Sequence, residues 1–357
     1  MLEFLSTGNA SQIRRVISRL GWNYFSKIIG FNLIHIEKEV DLSGFIPKEI
    51  GDITNHQTDL PRIAKDKNAI AAIEQILLDI PTQHKMVGGD ARTLRGIKDE
   101  SSHLVLTSPP YWNLKKYADS DNQLGDIEDY ELFILELNKV WENSYRVLIP
   151  GGRLICVVGD VCLSRKKNKG EHSVIPLHST IQEACRKIGF TNLAPIIWYK
   201  ISNAKFEASG NSGSFLGKPY EPNSVIKNDI EYILMFRKPG GYRSVNVETR
   251  ILSVISDVNH KKWFNQIWQG LTGASTKNHP APYPIELAQR LVRMFSFVGD
   301  TVIDPFMGTG TTAIAAARSG RNSISFEINE SYLDMSVKRF EKEFSTLMGN
   351  TNLEIIK

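Results

Sequence analysis

The second half of the chain, and much of the first, alternates between strand-like and helix-like patterns. HLVLTSPP (103–110) and NSISFEI (322–328) are short apolar runs typical of buried strands. Between Ile127 and Trp141 apolar residues recur every three or four positions, which predicts a helix. Strands joined by crossover helices produce this alternation. The sequence therefore predicts an α/β fold with a mostly parallel sheet and helices on both faces.

Residues 1–84 carry weaker signals than the rest of the chain. Apolar side chains at helical spacing predict one helix over 13–28 and a second over 70–80. The stretch 38–66 between them is predicted to be rich in loops. We expect an N-terminal helical extension over 1–84, followed by an α/β domain over 85–357.

Composition and the cysteines exclude several classes of protein. Hydrophobic residues make up 41% of the 357 residues and charged residues 23%, which are ordinary globular values. No apolar run approaches the roughly 18–20 residues that span a bilayer, and the N-terminus lacks the pattern of a signal peptide. The three cysteines form no CxxC pair, so neither a zinc site nor any other metal site is predicted. We expect a cytoplasmic protein without membrane contact.

Positive charge is concentrated in the middle of the chain. Between Asp160 and Asn278 there are 17 Lys and Arg residues against nine Asp and Glu residues, whereas the remainder is net acidic. Such an excess is expected of a surface that binds a polyanion. A solvated lysine-rich surface would have the same composition, so charge alone leaves both interpretations open.

DPFMGTGTT (304–312) has the context of a strand, a glycine turn and a helix. Its glycines allow the backbone to approach a ligand closely, and the start of the helix presents free N–H groups. Glu327 follows at the end of the next predicted strand, where a carboxylate can hold the hydroxyls of a ribose. The motif matches neither GxxxxGK[ST] nor GxGxxG. It therefore predicts a site for a cofactor that contains adenosine.

TSPPYW (107–112) ends another predicted strand, and ligands of open α/β sheets bind at such ends. The two prolines stiffen the loop and leave carbonyl groups without N–H groups of their own. Tyr111 offers a flat face for stacking. The combination suits a planar heterocycle whose exocyclic amine donates to Ser108 and to the carbonyl of Pro109.

The two motifs, with HPAPYP (279–284) before the second, resemble those of S-adenosylmethionine-dependent DNA amino-methyltransferases, which methylate N4 of cytosine or N6 of adenine. The resemblance covers roughly 85–345. The catalytic motif precedes the cofactor motif, and this permuted order is typical of the beta group. The resemblance implies a Rossmann-like class I methyltransferase fold with a mostly parallel seven-stranded sheet, and a catalytic domain over 85–357.

The resemblance also assigns roles to individual residues. It places S-adenosyl-L-methionine on Asp90, Thr107, Asp304, Phe306, Gly308, Thr309, Gly310 and Glu327. It places the target base on Ser108, Pro109, Pro110 and Tyr111. We expect DNA phosphates to be held by basic residues that include Arg165, Lys166, Lys167, Lys169, Lys261 and Lys262. The segment 202–228 is predicted to be a mobile loop, and 239–278 is the candidate target-recognition insert.

The expected reaction needs no covalent enzyme intermediate, because acceptors positioned around the amine direct its lone pair at the methyl group. The target base must leave the duplex, and stacking on Tyr111 would offset much of the cost of flipping. Serine at position 108 favours cytosine N4 over adenine N6, because the family pattern pairs SPP(Y/F) with cytosine.

The expected partner is double-stranded DNA, with a cognate restriction endonuclease as functional partner, and the enzyme is expected to be a monomer or a homodimer. The alternatives are an adenine-N6 methyltransferase, an RNA or protein methyltransferase, and a catalytically silent DNA-binding module. An NAD-linked oxidoreductase is least supported, since no hydride-transfer acid or base is evident.

Overall fold

The computed structural model describes most of the chain after the first 33 residues. The described residues are 34–36, 40–112, 122–163, 168–200, 215–216, 222, 225–226, 228–273, 283–345 and 350–357. The helix predicted over 13–28 and most of the loop predicted over 202–228 lie outside these ranges.

One large sheet organises the described residues. Its strands, in spatial order, are β10 (Ile267–Trp268), β6 (Thr191–Tyr199), β9 (Ile230–Arg237), β3 (Leu148–Val158), β2 (Ser102–Thr107), β11 (Thr301–Asp304), β12 (Asn322–Glu327), β1 (Thr82–Gly88) and β13 (Thr351–Ile356). Two small hairpins pair β4 (Val161–Leu163) with β5 (Ser173–Ile175), and β7 (Phe215–Leu216) with β8 (Val225–Ile226).

The sheet is mostly parallel, as predicted. Within it only β9 runs antiparallel to its neighbours among the described strands. The described sheet has nine strands rather than the expected seven, because β10 and β13 extend its two sides. β13 pairs with β1 from Thr82 to Val87 and so satisfies backbone groups that would otherwise face solvent at a sheet edge.

Helices cover both faces of the sheet. Those described are α1 (His56–Lys65), α2 (Lys67–Ile76), α3 (Tyr130–Val147), α4 (Leu177–Ile188), α5 (Val247–Leu252), α6 (Asp257–Trp263), α7 (Ile285–Phe295), α8 (Thr311–Ala317) and α9 (Glu330–Phe344). None of them combines the length and the apolar character that a membrane crossing requires.

The described part of the N-terminal extension packs on the α/β domain. Ile50, Ile63 and Ile73 are fully buried in one apolar cluster together with Leu252 and Val298. The prediction of loops over 38–66 was wrong at α1, which begins after Asn55. The Asn55 side chain accepts a hydrogen bond from the Gln57 amide, and tertiary burial of Ile63 outweighs the unfavourable Pro61 inside the helix.

Candidate active site

The carboxyl ends of β1, β2, β3, β11 and β12 lie at one edge of the sheet, because these strands run parallel. The loops that follow β2 and β11 therefore meet, although they are far apart in sequence. They share a cavity of about 80 Å³. Its walls include Ser108, Pro110, Leu124, Phe306, Gly308, Glu327, Ile328 and Tyr332.

A second, smaller cavity of about 40 Å³ adjoins the first. Leu124, Phe306, Glu327 and Ile328 line both, so the two spaces form one groove along the edge of the sheet. The second cavity adds Gly89, Asp90, Ala91, Asn122, Pro305 and Phe326 to the walls. The groove joins a polar end at Ser108 to an end that is largely apolar apart from Asp90 and Asn122.

The glycine loop between β11 and α8 is held in a backbone conformation that disfavours other residues. Gly308 and Gly310 have φ angles of 52° and 76°, both in the left-handed region. A Cβ atom at Gly310 would lie 3.1 Å from Cβ of Ser336. Arg339 clamps the outside of the loop, since its Nη1 donates to the carbonyl oxygen of Thr309 over 2.8 Å.

Glu327 connects this loop to the end of β12. Its Oε2 accepts a hydrogen bond from the Gly308 amide over 2.9 Å, and its Oε1 accepts from the Asn329 amide over 3.0 Å. Burial raises the pKa of the Glu327 carboxyl to about 7, against the opposing effect of these two amides. The carboxylate therefore faces both cavities as a preoriented hydrogen-bond acceptor.

Asp304 and Thr107 are buried beneath the groove and line neither cavity. Thr107 Oγ1 donates to Asp304 Oδ1 over 2.7 Å, and the Phe306 amide donates to the same oxygen over 3.0 Å. Tyr283 and Thr312 donate their hydroxyl hydrogens to Oδ2. Burial raises the pKa of Asp304. This network fixes the end of β2 against the start of the glycine loop, whereas direct contact of these two side chains with a cofactor stays a prediction.

Asp90 lies in the wall of the second cavity and is held by a neighbouring arginine. Arg92 donates from Nε to Asp90 Oδ1 over 3.0 Å and from Nη2 to Oδ2 over 2.6 Å. Arg92 Nη1 also donates to Glu136 Oε2 over 2.8 Å, which ties α3 to this corner. The bidentate pair orients the Asp90 carboxylate at the apolar end of the groove.

The predicted base-binding motif follows β2 directly. Ser108 and Pro110 are partly buried, whereas Pro109 is buried and the Tyr111 side chain is only 7% exposed. Ser108 Oγ lies 3.5 Å from Tyr111 Oη. A Cβ atom at Gly159 would lie 3.6 Å from Tyr111 Cε2, so the ring packs close to the backbone after β3. Pro109 and Tyr111 line neither cavity, so their contact with a target base stays a prediction.

A histidine–aspartate pair closes the end of β3 beside Tyr111. His178 Nδ1 lies 2.6 Å from Asp160 Oδ1, and the imidazole stacks on the Tyr232 ring with centroids 3.8 Å apart. Asp160, a polar residue at the end of a buried strand, is predictable from the sequence as a residue that could assist Ser108. The sequence did not indicate His178, which starts α4, or Tyr232, which belongs to β9.

A family model described as DNA methylase (N6_N4_Mtase) matches residues 102–338, which is more than half of the chain. The chain belongs to this family. The match begins at β2 and ends in α9, and it includes both loops that form the groove. It thus confirms the relationship that the two motifs predicted.

Individual relatives support the same assignment. The type II methyltransferase M.MjaI of Methanocaldococcus jannaschii is 39% identical over 285 residues, covering 71% of this chain and 90% of that protein. The DNA adenine methyltransferase YhdJ of Escherichia coli is 30% identical over 271 residues, covering 72% and 82%. A solved structure of a DNA modification methylase from Thermus thermophilus, complexed with S-adenosyl-L-methionine, is 46% identical, covers 77% of this chain and 100% of that one, and has a TM-score of 0.61.

The residues predicted to hold phosphates divide into three groups in this methylase. Arg165, Lys166 and Lys167 lie outside the described residues, and Lys169 is exposed in the turn that follows them. Lys261 and Lys262 are exposed on α6, where Lys261 Nζ lies 2.8 Å from Asp257 Oδ2. Contact of any of these residues with DNA phosphates stays a prediction.

Proposed function

We propose that this methylase transfers a methyl group from S-adenosyl-L-methionine to the exocyclic N4 amine of a flipped cytosine in duplex DNA, as the modification enzyme of a restriction–modification system. One observation carries the proposal: Ser108 and Pro110 share a cavity with Gly308 and Glu327. A base held at the first pair of residues would lie beside a cofactor held at the second pair.

The groove fits the chemistry of S-adenosyl-L-methionine. The Glu327 carboxylate suits the two ribose hydroxyls, and the aromatic walls Phe306 and Phe326 suit an adenine ring. Asp90 stands at the same end, where it would accept a hydrogen bond from the adenine amine. When bound, the cofactor supplies an electrophilic methyl group on a sulfonium.

The residues of the chain would act by positioning rather than by covalent attack. Ser108 Oγ and the carbonyl oxygen of Pro109 would accept the two N–H bonds of the amine, which localises its lone pair and directs it along the groove. Tyr111 is buried as the structure stands, so it would stack on the base only after its ring turns toward the groove. Such stacking contributes about 1–3 kcal/mol per base and would offset part of the cost of flipping. The three cysteines, Cys156, Cys162 and Cys185, all lie in the described residues and none lines either cavity, so a cysteine nucleophile has no support.

Serine at position 108 favours cytosine as the target. In the family pattern SPP(Y/F) usually accompanies methylation of cytosine N4, whereas DPP(Y/F) accompanies methylation of adenine N6. Adenine N6 is the second candidate, because one relative, YhdJ, is named as a DNA adenine methyltransferase and is 30% identical.

The decisive experiment uses methyl-labelled S-adenosyl-L-methionine, unmethylated genomic DNA and, in a parallel arm, total RNA. Digestion to nucleosides and chromatography should show label in N4-methyldeoxycytidine. Label in N6-methyldeoxyadenosine would show that the target base is adenine rather than cytosine. Label only in RNA would overturn the assignment of DNA as the substrate. The variant Ser108→Ala should lose most of the incorporated label, whereas the control Ser345→Ala should retain it. Equal labelling by both variants would point to a contaminating methyltransferase.

A cognate restriction endonuclease and the state of assembly belong to the same proposal. We expect DNA from cells that express the methylase to resist one endonuclease of matching specificity. Light scattering of the purified chain, with and without a duplex, would distinguish a monomer from a homodimer.

A further inference from the structure

A separate cavity, of about 340 Å³, lies at the opposite edge of the sheet from the groove. It is formed where β2 and β3 begin, where the antiparallel β9 ends, and where α7 leads into β11. Four arginines contribute to its walls, namely Arg153, Arg237, Arg243 and Arg293. The proposed methyl transfer uses none of them.

The positive charge of this arginine cavity is only half compensated. Arg243 pairs with Asp300, and Arg293 pairs with Glu74 over 3.1 Å. Arg153 is partly buried and makes neither a hydrogen bond nor an ion pair to any residue in the described ranges. Arg237 donates only to the carbonyl oxygen of Gly240, over 2.8 Å, again counting described residues. Burial and the charge of Arg237 lower the pKa of Arg153.

Aromatic rings hold these two guanidinium groups in place. Arg153 lies over the Phe295 ring at 5.1 Å from its centroid, and Arg237 lies over the Tyr242 ring at 4.3 Å. Stacking occupies the face of a guanidinium and leaves the N–H groups at its rim free to donate. Arg153 is therefore a preorganised donor. Arg237 covers a ring that is itself exposed, so it is positioned by its hydrogen bond to Gly240 and by its pairing opposite Arg153.

The backbone around them is closely packed. A Cβ atom at Gly151 would overlap the carbonyl oxygen of Gly241, and Gly151 has a φ of 80°. The Gly151 amide donates to the carbonyl oxygen of Lys238 over 3.0 Å, which joins the start of β3 to the end of β9. Arg153 and Arg237 are thus carried by adjacent strands at a fixed separation, paired directly in register.

We propose that this cavity binds a phosphate group through Arg153 and Arg237. A phosphate offers several acceptor oxygens and up to two negative charges, so one group can accept from both guanidinium rims and relieve their mutual repulsion. The phosphate can belong to a small phosphorylated molecule or to the backbone of a nucleic acid. The inference does not depend on the proposed methyl transfer.

The test is a calorimetric titration of the full chain with inorganic pyrophosphate at fixed ionic strength, and separately with a short duplex. We expect saturable pyrophosphate binding that Arg153→Gln and Arg237→Gln each weaken at least tenfold. The control Lys187→Gln, an equal loss of charge at an exposed residue of α4, should leave the affinity unchanged. Circular dichroism melting would verify that each variant is folded.

The two arms distinguish the source of the phosphate. Duplex that displaces pyrophosphate from the wild-type chain, and that both arginine variants bind more weakly in the direct titration, identifies a nucleic-acid backbone as the ligand. Pyrophosphate binding that the duplex leaves unchanged identifies a small molecule. Absence of saturable binding to either probe would overturn the proposal. Equal binding by the wild-type chain and both arginine variants would overturn it as well.

Discussion

At the scale of single residues, the groove depends on side chains whose environment differs from that of free amino acids. Glu327 is a carboxyl with two amide donors in a site that nevertheless raises its pKa to about 7. Ser108 is an ordinary hydroxyl whose importance comes from its place at the end of β2. These two residues give the sharpest tests of the proposed chemistry.

Replacement of Ser108 by alanine should lower kcat about tenfold to hundredfold, because one acceptor for the target amine is lost. The affinity for S-adenosyl-L-methionine should stay within about twofold, since Glu327 and Asp90 are retained. Steady-state kinetics and equilibrium cofactor binding measure the two quantities. Turnover near the wild-type rate would remove Ser108 from the mechanism.

The affinity for S-adenosyl-L-methionine should fall as the pH drops through about 7, because protonation of Glu327 replaces an acceptor by a donor. Glu327→Gln should bind the cofactor weakly and with a flat pH profile on both sides of that pKa. A wild-type profile that is equally flat would contradict the role of Glu327.

The raised pKa of Glu327 also affects stability. A carboxylate whose pKa is lowered on folding stabilises the protein at higher pH, whereas Glu327 stabilises it at lower pH. The folded protein binds the Glu327 proton more tightly than the unfolded chain does, so this group favours the folded state more at pH 5 than at pH 8. Glu327→Gln removes this titration. The free energy of unfolding of the variant minus that of the wild type, measured in urea without cofactor, should therefore be more positive at pH 8 than at pH 5. An equal difference at both pH values would show that folding does not raise the pKa of the Glu327 carboxyl.

At the scale of elements, the turn between β11 and α8 and the added strand β13 can be tested separately. The turn requires left-handed backbone at Gly310 next to α9, and Arg339 supports it from outside. β13 covers the side of β1 and adds an ion pair between Lys85 and Glu354 at 2.6 Å.

Gly310→Ala should lower the free energy of unfolding by about 1–3 kcal/mol through backbone strain, and further through contact with Ser336. Gly299→Ala is the matched control, because Gly299 has a φ of 82° but no atom within 4 Å of its Cβ position. Urea unfolding should show the larger loss for Gly310→Ala, together with weaker cofactor binding. Equal losses in both variants would mean that the contact with α9 is unimportant.

A chain ending at Asn350 should melt at a lower temperature and aggregate with increasing concentration, since the backbone edge of β1 is then uncovered. Lys357→Gln removes only an exposed ion pair with Asp334 and should stay close to the wild-type chain. Differential scanning calorimetry and light scattering measure both effects. A truncated chain that melts like the full one would show that β13 contributes no stability.

At the scale of the whole molecule, the two edges of the sheet are specialised differently. The groove occupies the edge where the parallel strands end, and the arginine cavity occupies the edge where they begin. Charge counted along a sequence does not report on which side of a sheet a helix packs, so contact of Lys261 and Lys262 on α6 with DNA phosphates stays a prediction.

The sequence by itself determined which chemistry the chain could carry: the Ser-Pro-Pro-Tyr and Gly-Thr-Gly loops, their places at strand ends, and the mostly parallel sheet. These features are local, because they depend on residue type, backbone freedom and periodicity over a few positions. Only the tertiary structure decided that β2 lies beside β11, that Asp304 bonds Thr107 and Tyr283, and that Arg153 lacks an anionic partner among the described residues. Such contacts join residues distant in sequence, and their free energy depends on packing that no short segment contains.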